Sequence, residues 1–97
     1  MNEKAARQRL DKWLWHARVT KSRTLAQKLI ESGAVRVNGQ RVTGSDTRVG
    51  VGDGLTILVH QRLRVLKITG LAERRGSPSV AATLYEDISP VLPKAES

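Results

Sequence analysis

The first third of the chain contains two short stretches in which apolar residues recur at helical spacing. In the first stretch they fall on one face of a helix from about Arg9 to Ala17, at Leu10, Trp13, Leu14 and Ala17. Trp13 therefore belongs to the predicted core. Trp15 lies about 140° around the helix from Leu10, off that face, so its ring could either stack on a base or an arginine or cover a later helix.

A second helix is predicted between Ser22 and Gly33. Ser22 is a suitable N-cap because its hydroxyl can accept a backbone N–H, and Gly33 suits the left-handed position that follows a helix. The apolar face of this helix consists of Leu25, Ala26, Leu29 and Ile30. Residues 18–21 leave room for only a short connection between the two helices.

The middle of the chain changes to the alternating pattern of β-strands. Residues 34–37 and 40–42 flank Asn38-Gly39, a pair typical of the two-residue type I′ hairpin turn. Further strands are predicted over residues 55–59 and 63–68, after a glycine-rich turn.

A last helix is predicted to begin at Ser77 and Pro78, which fit the N-cap and first helical positions, and to run over about residues 78–87. These elements predict an α+β fold, with two N-terminal helices packed on a small antiparallel sheet and a short C-terminal helix. We divide the chain into a flexible N-terminal lead (residues 1–8), one domain (9–70) and a C-terminal extension (71–97). Neither a signal peptide nor a membrane span is expected, since no apolar run reaches about 18 residues.

Positive charge is concentrated in one half of the sequence. The net charge of the chain is +8, and residues 1–48 contribute +7 of it through eleven basic and four acidic side chains. A basic field of this kind attracts polyanions, most commonly nucleic acid. The alternative is a solvated basic face that confers only solubility.

The residues needed for common catalytic and metal chemistry are scarce. Cysteine is absent, which fits a reducing, cytoplasmic location, and neither His16 nor His60 has a partner at metal-ligand spacing. No nucleophile motif and no phosphate-binding glycine loop followed by lysine is found. We expect no enzymatic activity, no cofactor, no metal and no small-molecule substrate.

Several motifs resemble the S4-type RNA-binding domain, also called the alpha-L fold. They comprise Arg9-Leu10-Asp11-Lys12-Trp13-Leu14, Arg18, Lys21-Ser22-Arg23, Ala26, Leu29-Ile30, Gly33, Val35-x-Val37-Asn38-Gly39 and Gly52-Asp53-x-Leu55. The segment Asp-Lys-Trp-Leu-Trp and the stretch from Arg-Arg-Gly-Ser-Pro to Leu84-Tyr85-Glu86 more narrowly resemble the fifteen-kilodalton heat-shock protein family. That resemblance implies a non-catalytic, stress-related protein that binds ribosomal RNA on the large subunit. It also implies a role in rescuing stalled subunits that carry peptidyl-tRNA, with possible contact to transfer RNA.

Candidate RNA-binding residues follow from charge, exposure and the resemblance. They are Arg9, Lys12, Arg18, Lys21, Ser22, Arg23, Gln27, Lys28, Arg36, Asn38, Gly39 and Arg41. Arginine can hold two phosphate oxygens at once, and a helix N-terminus favours an anion. Arg9 and Arg18 could instead pair with Asp11, whereas Lys21 and Arg23 have few acidic neighbours in sequence. Ser22 and the Asn38-Gly39 turn are structural first.

Two other functions fit parts of the sequence. A helix–turn–helix DNA-binding protein would present Arg23, Thr24, Gln27 and Lys28 on its second helix. A protein-interaction adaptor would use exposed apolar residues such as Val91 and Leu92, and its charge would be incidental.

Overall fold

The computed structural model describes residues 6–59 and 61–90. Val91 and Leu92, which the adaptor hypothesis uses, and His60 lie outside these residues. The elements in chain order are β1 (Gln8–Arg9), α1 (Leu10–His16), α2 (Arg23–Glu31), β2 (Val35–Val37), β3 (Gln40–Val42), β4 (Arg48–Val49), β5 (Gly54–Val59), β6 (Arg62–Ile68), α3 (Pro78–Ala81), a 3-10 turn (Ala82–Leu84) and β7 (Tyr85–Asp87).

Helix α1 buries the apolar stripe that its spacing predicts. Leu10, Trp13 and Leu14 are fully buried, and Ala17 caps the C-terminal end of the helix. Arg18 follows with a φ of 61°, a left-handed conformation that turns the chain sharply toward α2.

Helix α2 begins and ends where its sequence indicates. The hydroxyl of Ser22 accepts a hydrogen bond from the backbone N–H of Leu25 at 3.1 Å, and Gly33 adopts a φ of 84° after the last turn. Ala26 and Ile30 are buried, but Leu25 is 48% exposed, so the prediction that it belongs to the buried face is wrong. Leu25 is rotated by about 100° from Ala26 around the helix, beyond the strip that packs on the core.

A five-stranded antiparallel sheet in the order β3-β2-β5-β6-β7 carries the other half of the core. Its β2–β3 hairpin closes through Asn38 and Gly39, both with positive φ, as a type I′ turn requires. One face of the sheet packs on α1 and α2 through Val35, Leu55, Ile57, Leu66 and Ile68. The α+β fold class is confirmed.

A short strand pair extends the domain at its N-terminal end. Gln8 pairs with Val49 and Arg9 with Arg48, which joins β1 to β4. The predicted flexible lead of residues 1–8 is therefore too long by one residue, because Gln8 is part of this ladder. Two paired residues are too short a strand to give an alternating pattern that a sequence reading can detect.

The C-terminal extension is less helical than predicted. Ser77 caps α3 as expected, with its hydroxyl 3.3 Å from the N–H of Val80, but the helix ends at Ala81. The chain passes through the 3-10 turn and adds β7 to the sheet, with Tyr85 opposite Ile68. Pairing with the free edge of β6 and burial of Leu84 outweigh the helical start, so the prediction of a helix to residue 87 is wrong.

None of the helices in the described part of the chain is long and apolar enough to cross a membrane.

Candidate nucleic-acid interface

The carboxylate of Asp11 is the centre of the candidate interface. Asp11 lies in the first turn of α1 and its side chain is fully buried. Its Oδ1 accepts hydrogen bonds from Arg9 Nε at 3.1 Å and from the backbone N–H of Lys12 at 2.8 Å. Its Oδ2 accepts from Arg9 Nη2 at 3.0 Å, Gln27 Nε2 at 3.0 Å and Arg23 Nε at 3.3 Å. One acid therefore gathers donors from both helices.

These donors keep the buried acid ionised. Burial alone would raise the pKa of Asp11, but hydrogen bonds from Arg9, Gln27 and Arg23 lower it to about 2. The hydrogen bond to Asp11 likewise raises the pKa of Arg9. At neutral pH the cluster thus holds two guanidinium charges and one carboxylate charge, and its balance is positive.

Both arginines keep part of their donor capacity for a ligand. The side chains of Arg9 and Arg23 are 34% and 39% exposed. A guanidinium carries five N–H donors, and Asp11 takes only two from Arg9 and one from Arg23. Arg9 therefore does pair with Asp11, as the alternative to RNA contact proposed. This pairing still leaves N–H groups of Arg9 that can bind phosphate.

The turn between the helices places its basic residues differently. Lys21 is exposed, as is Lys28 in the last turn of α2, whereas Lys12 is half-buried. Arg18 donates from Nε to the carbonyl of Gly76 at 2.9 Å, so it joins the C-terminal extension rather than Asp11. Ser22 has the structural capping role that its sequence position predicts.

The hairpin forms a second group of candidates. Arg36 and Arg41 are cross-strand neighbours, both exposed. Asn38 accepts a hydrogen bond from the N–H of Gly54 at 2.8 Å and donates to Asp53 at 3.1 Å, which fixes the Asn38-Gly39 turn against the start of β5.

Arg41 connects this hairpin to the helical part of the domain. Its guanidinium lies over Gly33, where a side-chain carbon would come within 2.7 Å of Arg41 Cζ. The absence of a side chain at Gly33 therefore lets an arginine of the sheet sit beside the C-terminal end of α2, whose carbonyls favour a cation.

The candidates thus separate into defined groups. Those around Asp11 are Arg9, Lys12, Arg23 and Gln27, those of the hairpin are Arg36, Asn38, Gly39 and Arg41, and those exposed around α2 are Lys21 and Lys28. Asp11 itself is missing from the predicted site, because we treated it only as a possible partner for single arginines. The signal that could have revealed it is an isolated acid in a first helical turn surrounded by basic residues.

Comparison with known proteins shows the family to which the chain belongs. The S4 domain family model matches residues 8–55. Heat shock protein 15 of Escherichia coli K12 is 41% identical over 97 residues, which cover 99% of this chain and 72% of that protein. The chain belongs to the heat shock protein 15 family. The resemblance inferred from the sequence motifs is thereby confirmed.

Two other relatives extend the comparison. The RQC P-site tRNA stabilizing factor of Halalkalibacterium halodurans is 42% identical over 78 residues, which cover 80% of this chain and 86% of that protein. The trimeric structure of heat shock protein 15 from Vibrio cholerae matches with a TM-score of 0.78 and 34% identity, over 84% of this chain and 82% of that one. The S4-type fold expected from the motifs is confirmed.

In this member of the heat shock protein 15 family, residues 70–75 hold α1 in place. Trp13 donates from Nε1 to the carbonyl of Gly70 at 3.0 Å, and His16 Nδ1 lies 2.9 Å from the carbonyl of Ala72. Burial lowers the pKa of His16. Because a carbonyl oxygen can only accept, His16 Nδ1 donates this bond. Arg75 donates to the backbone carbonyl of Trp15, whose half-buried ring lies beside that of His16.

Metal-binding chemistry has no evident location in the described residues. No group of three or more histidine, cysteine, aspartate or glutamate side chains is placed there to hold an ion.

Proposed function

We propose that this protein is a non-catalytic, cytoplasmic RNA-binding protein that acts on the large ribosomal subunit. Its ligand is structured ribosomal RNA, and its role is the rescue or recycling of stalled subunits that carry peptidyl-tRNA. It needs no cofactor for this, because binding and positioning supply the whole effect.

The observation that carries the proposal is the cluster around Asp11 within an S4 domain. Arg9 and Arg23 are held on one buried carboxylate and keep outward N–H donors, and exposed Lys21 and Lys28 add charge on α2. Contacts to phosphate from such side chains position a protein on RNA, while shape and 2′-hydroxyl groups distinguish RNA from DNA. The relative named as a P-site tRNA stabilizing factor supports the assignment to the ribosome and to transfer RNA.

The helix–turn–helix alternative is weakened by the same cluster. A recognition helix must present its polar side chains to base edges, but Arg23 and Gln27 both point back to Asp11. Binding to duplex DNA should accordingly be weaker than binding to ribosomal RNA at the same salt concentration. Equal or tighter binding to DNA would favour the alternative.

The test is sedimentation of cell extract on a sucrose gradient. The protein should migrate with large subunits, and nuclease treatment should release it. A protein that stays with a complex after nuclease treatment would instead be an adaptor that binds protein. In purified form, three to five phosphate contacts predict that log K falls against log salt with a slope of about −2 to −4; a flat salt dependence would contradict the proposal.

A further inference from the structure

The negative charge of Asp11 lies within a surface that is proposed to bind RNA, itself negatively charged. A buried negative charge inside a surface that binds a polyanion should oppose binding if that surface acts only through its electric field. Yet, among the residues that the structure describes, Asp11 has the side chain with the most hydrogen bonds, five from four residues.

The shared oxygen Oδ2 brings the two guanidinium groups together. Arg9 comes from the residue before α1 and Arg23 from the first position of α2, so the chain places them on different elements. Both nevertheless contact the same atom, at 3.0 and 3.3 Å. The carboxylate between them offsets the repulsion of the two like charges.

The bonds to Asp11 also fix the orientation of each guanidinium. Arg9 is bound through Nε and Nη2, a bidentate pairing that sets the plane of the group. Arg23 is bound through Nε, so both of its Nη groups are left for other partners. Gln27 adds a third side-chain donor to Oδ2, at 3.0 Å.

We infer that Arg9 and Arg23 form a clamp for one phosphodiester group of the bound RNA, and that Asp11 is the residue that positions it. The inference rests on the proposed RNA-binding function and specifies one subsite within it. A pair of arginines already held in place loses little side-chain entropy on binding, which is the gain that preorganisation gives. Removing the negative charge of Asp11 therefore weakens RNA binding.

The experiment measures the dissociation constant for purified large-subunit ribosomal RNA by filter binding, with the full chain. The variant is Asp11→Asn, which keeps the shape of the side chain but loses the charge and one acceptor. The matched control is Asp46→Asn, which removes an exposed acid that interacts with Arg9 through space. Circular dichroism establishes that each variant is folded at the assay temperature.

The clamp predicts opposite effects from these two removals of negative charge. Asp11→Asn should weaken binding about tenfold, the usual effect of a lost hydrogen bond to a charged group, while Asp46→Asn should leave it unchanged or strengthen it. Tighter binding by both variants would show that the surface acts only as a field and would overturn the inference. Absence of RNA binding by the unaltered protein would instead overturn the proposed function.

A double-mutant cycle separates positioning from a general loss of structure. Arg23→Lys keeps the positive charge but loses the fork that Asp11 orients. If Asp11 acts through Arg23, Asp11→Asn should cost much less affinity in the Arg23→Lys background than alone. Equal costs in both backgrounds would refute the positioning role.

The arginines provide a second test if Asp11→Asn does not fold. Replacing both Arg9 and Arg23 by lysine preserves the net charge and removes no buried atom of the core. The clamp predicts about tenfold weaker binding for this variant. Unchanged affinity would overturn the inference.

Discussion

Asp11 links the stability of the protein to pH at the scale of a single residue. Its pKa falls from 3.8 to about 2 on folding, so the unfolded chain binds the proton more tightly. The contribution of Asp11 to the free energy of unfolding is therefore complete above about pH 4 and is lost as pH falls through the folded pKa near 2. Its size is about 2 kcal/mol.

Urea denaturation of the protein and of Asp11→Asn at several pH values tests this linkage. The difference in free energy of unfolding between the two should shrink by about 2 kcal/mol between pH 5 and pH 2. Other acids titrate in both proteins, so their contributions cancel in the difference. One of them is Asp87, whose pKa is lowered by hydrogen bonds from Ser89. Parallel pH profiles would show that Asp11 carries no such linkage.

Lys21 is the residue at which charge can be removed with least structural effect. It is exposed, and no hydrogen bond or ion pair of its side chain is seen with the described residues. We expect Lys21→Ala to lower RNA affinity and to reduce the salt slope by about one, with stability changed by less than about 0.5 kcal/mol.

Arg74→Ala is the matched control for Lys21, because it also removes one exposed charge but lies outside the S4 match. Arg75 is a poorer control, since it donates a hydrogen bond to the carbonyl of Trp15. A larger loss of affinity for Arg74→Ala than for Lys21→Ala would place the binding surface on another face.

At the scale of elements, the β2–β3 hairpin depends on the backbone conformation of Gly39. Gly39 has a φ of 85°, and nothing lies within 4 Å of the position where a side chain would begin. The cost of Gly39→Val is therefore backbone strain alone, about 1–2 kcal/mol in urea denaturation. Gly54→Ala has no positive φ and a nearest neighbour at 3.7 Å, so it should cost less. Equal losses in free energy of unfolding for Gly39→Val and Gly54→Ala would show that the turn tolerates a side chain at Gly39.

The two N-terminal helices and the hairpin were predictable because their signals are local. The Ser22 cap, the Gly33 terminus and the Asn38-Gly39 turn each depend on a few consecutive residues. Strands β1 and β7 were not, since each exists only by pairing with a partner about 20 to 40 residues away. The same reason hid the bonds of Arg23 and Gln27 to Asp11, which join two helices and follow from no periodicity.

At the scale of the whole molecule, the C-terminal extension is part of the domain. Strand β7 covers the edge of β6, Tyr85 packs edge-on against Trp13 at 6.2 Å, and Leu84 is in the core. A chain that ends at Ile68 loses all of these and leaves the N–H groups of Trp13 and His16 unpaired, at about 1–3 kcal/mol each. These losses are large relative to the small total stability of a domain. We therefore expect the chain that ends at Ile68 to show no cooperative thermal transition by circular dichroism.

A chain that ends at Pro90 is the control for this truncation, because it keeps every element that the structure describes. We expect both this chain and the full chain to melt cooperatively. If the chain that ends at Ile68 melts cooperatively at a temperature similar to that of the chain that ends at Pro90, the extension does not contribute to the stability of the domain.

The bonds that hold α1 have a consequence for how the protein is made. Five hydrogen bonds connect α1 and its flanking residues to residues 70–76, across 56 to 64 positions of sequence. They involve Gln8, Trp13, Trp15, His16 and Arg18. Synthesis proceeds from the N-terminus, so the helix that carries Asp11 cannot form these contacts until residues 70–76 have been made. We expect chains arrested before residue 70 to remain sensitive to protease within α1. A newly made copy would then acquire its affinity for RNA only after residues 70–76 have left the ribosome that produces it.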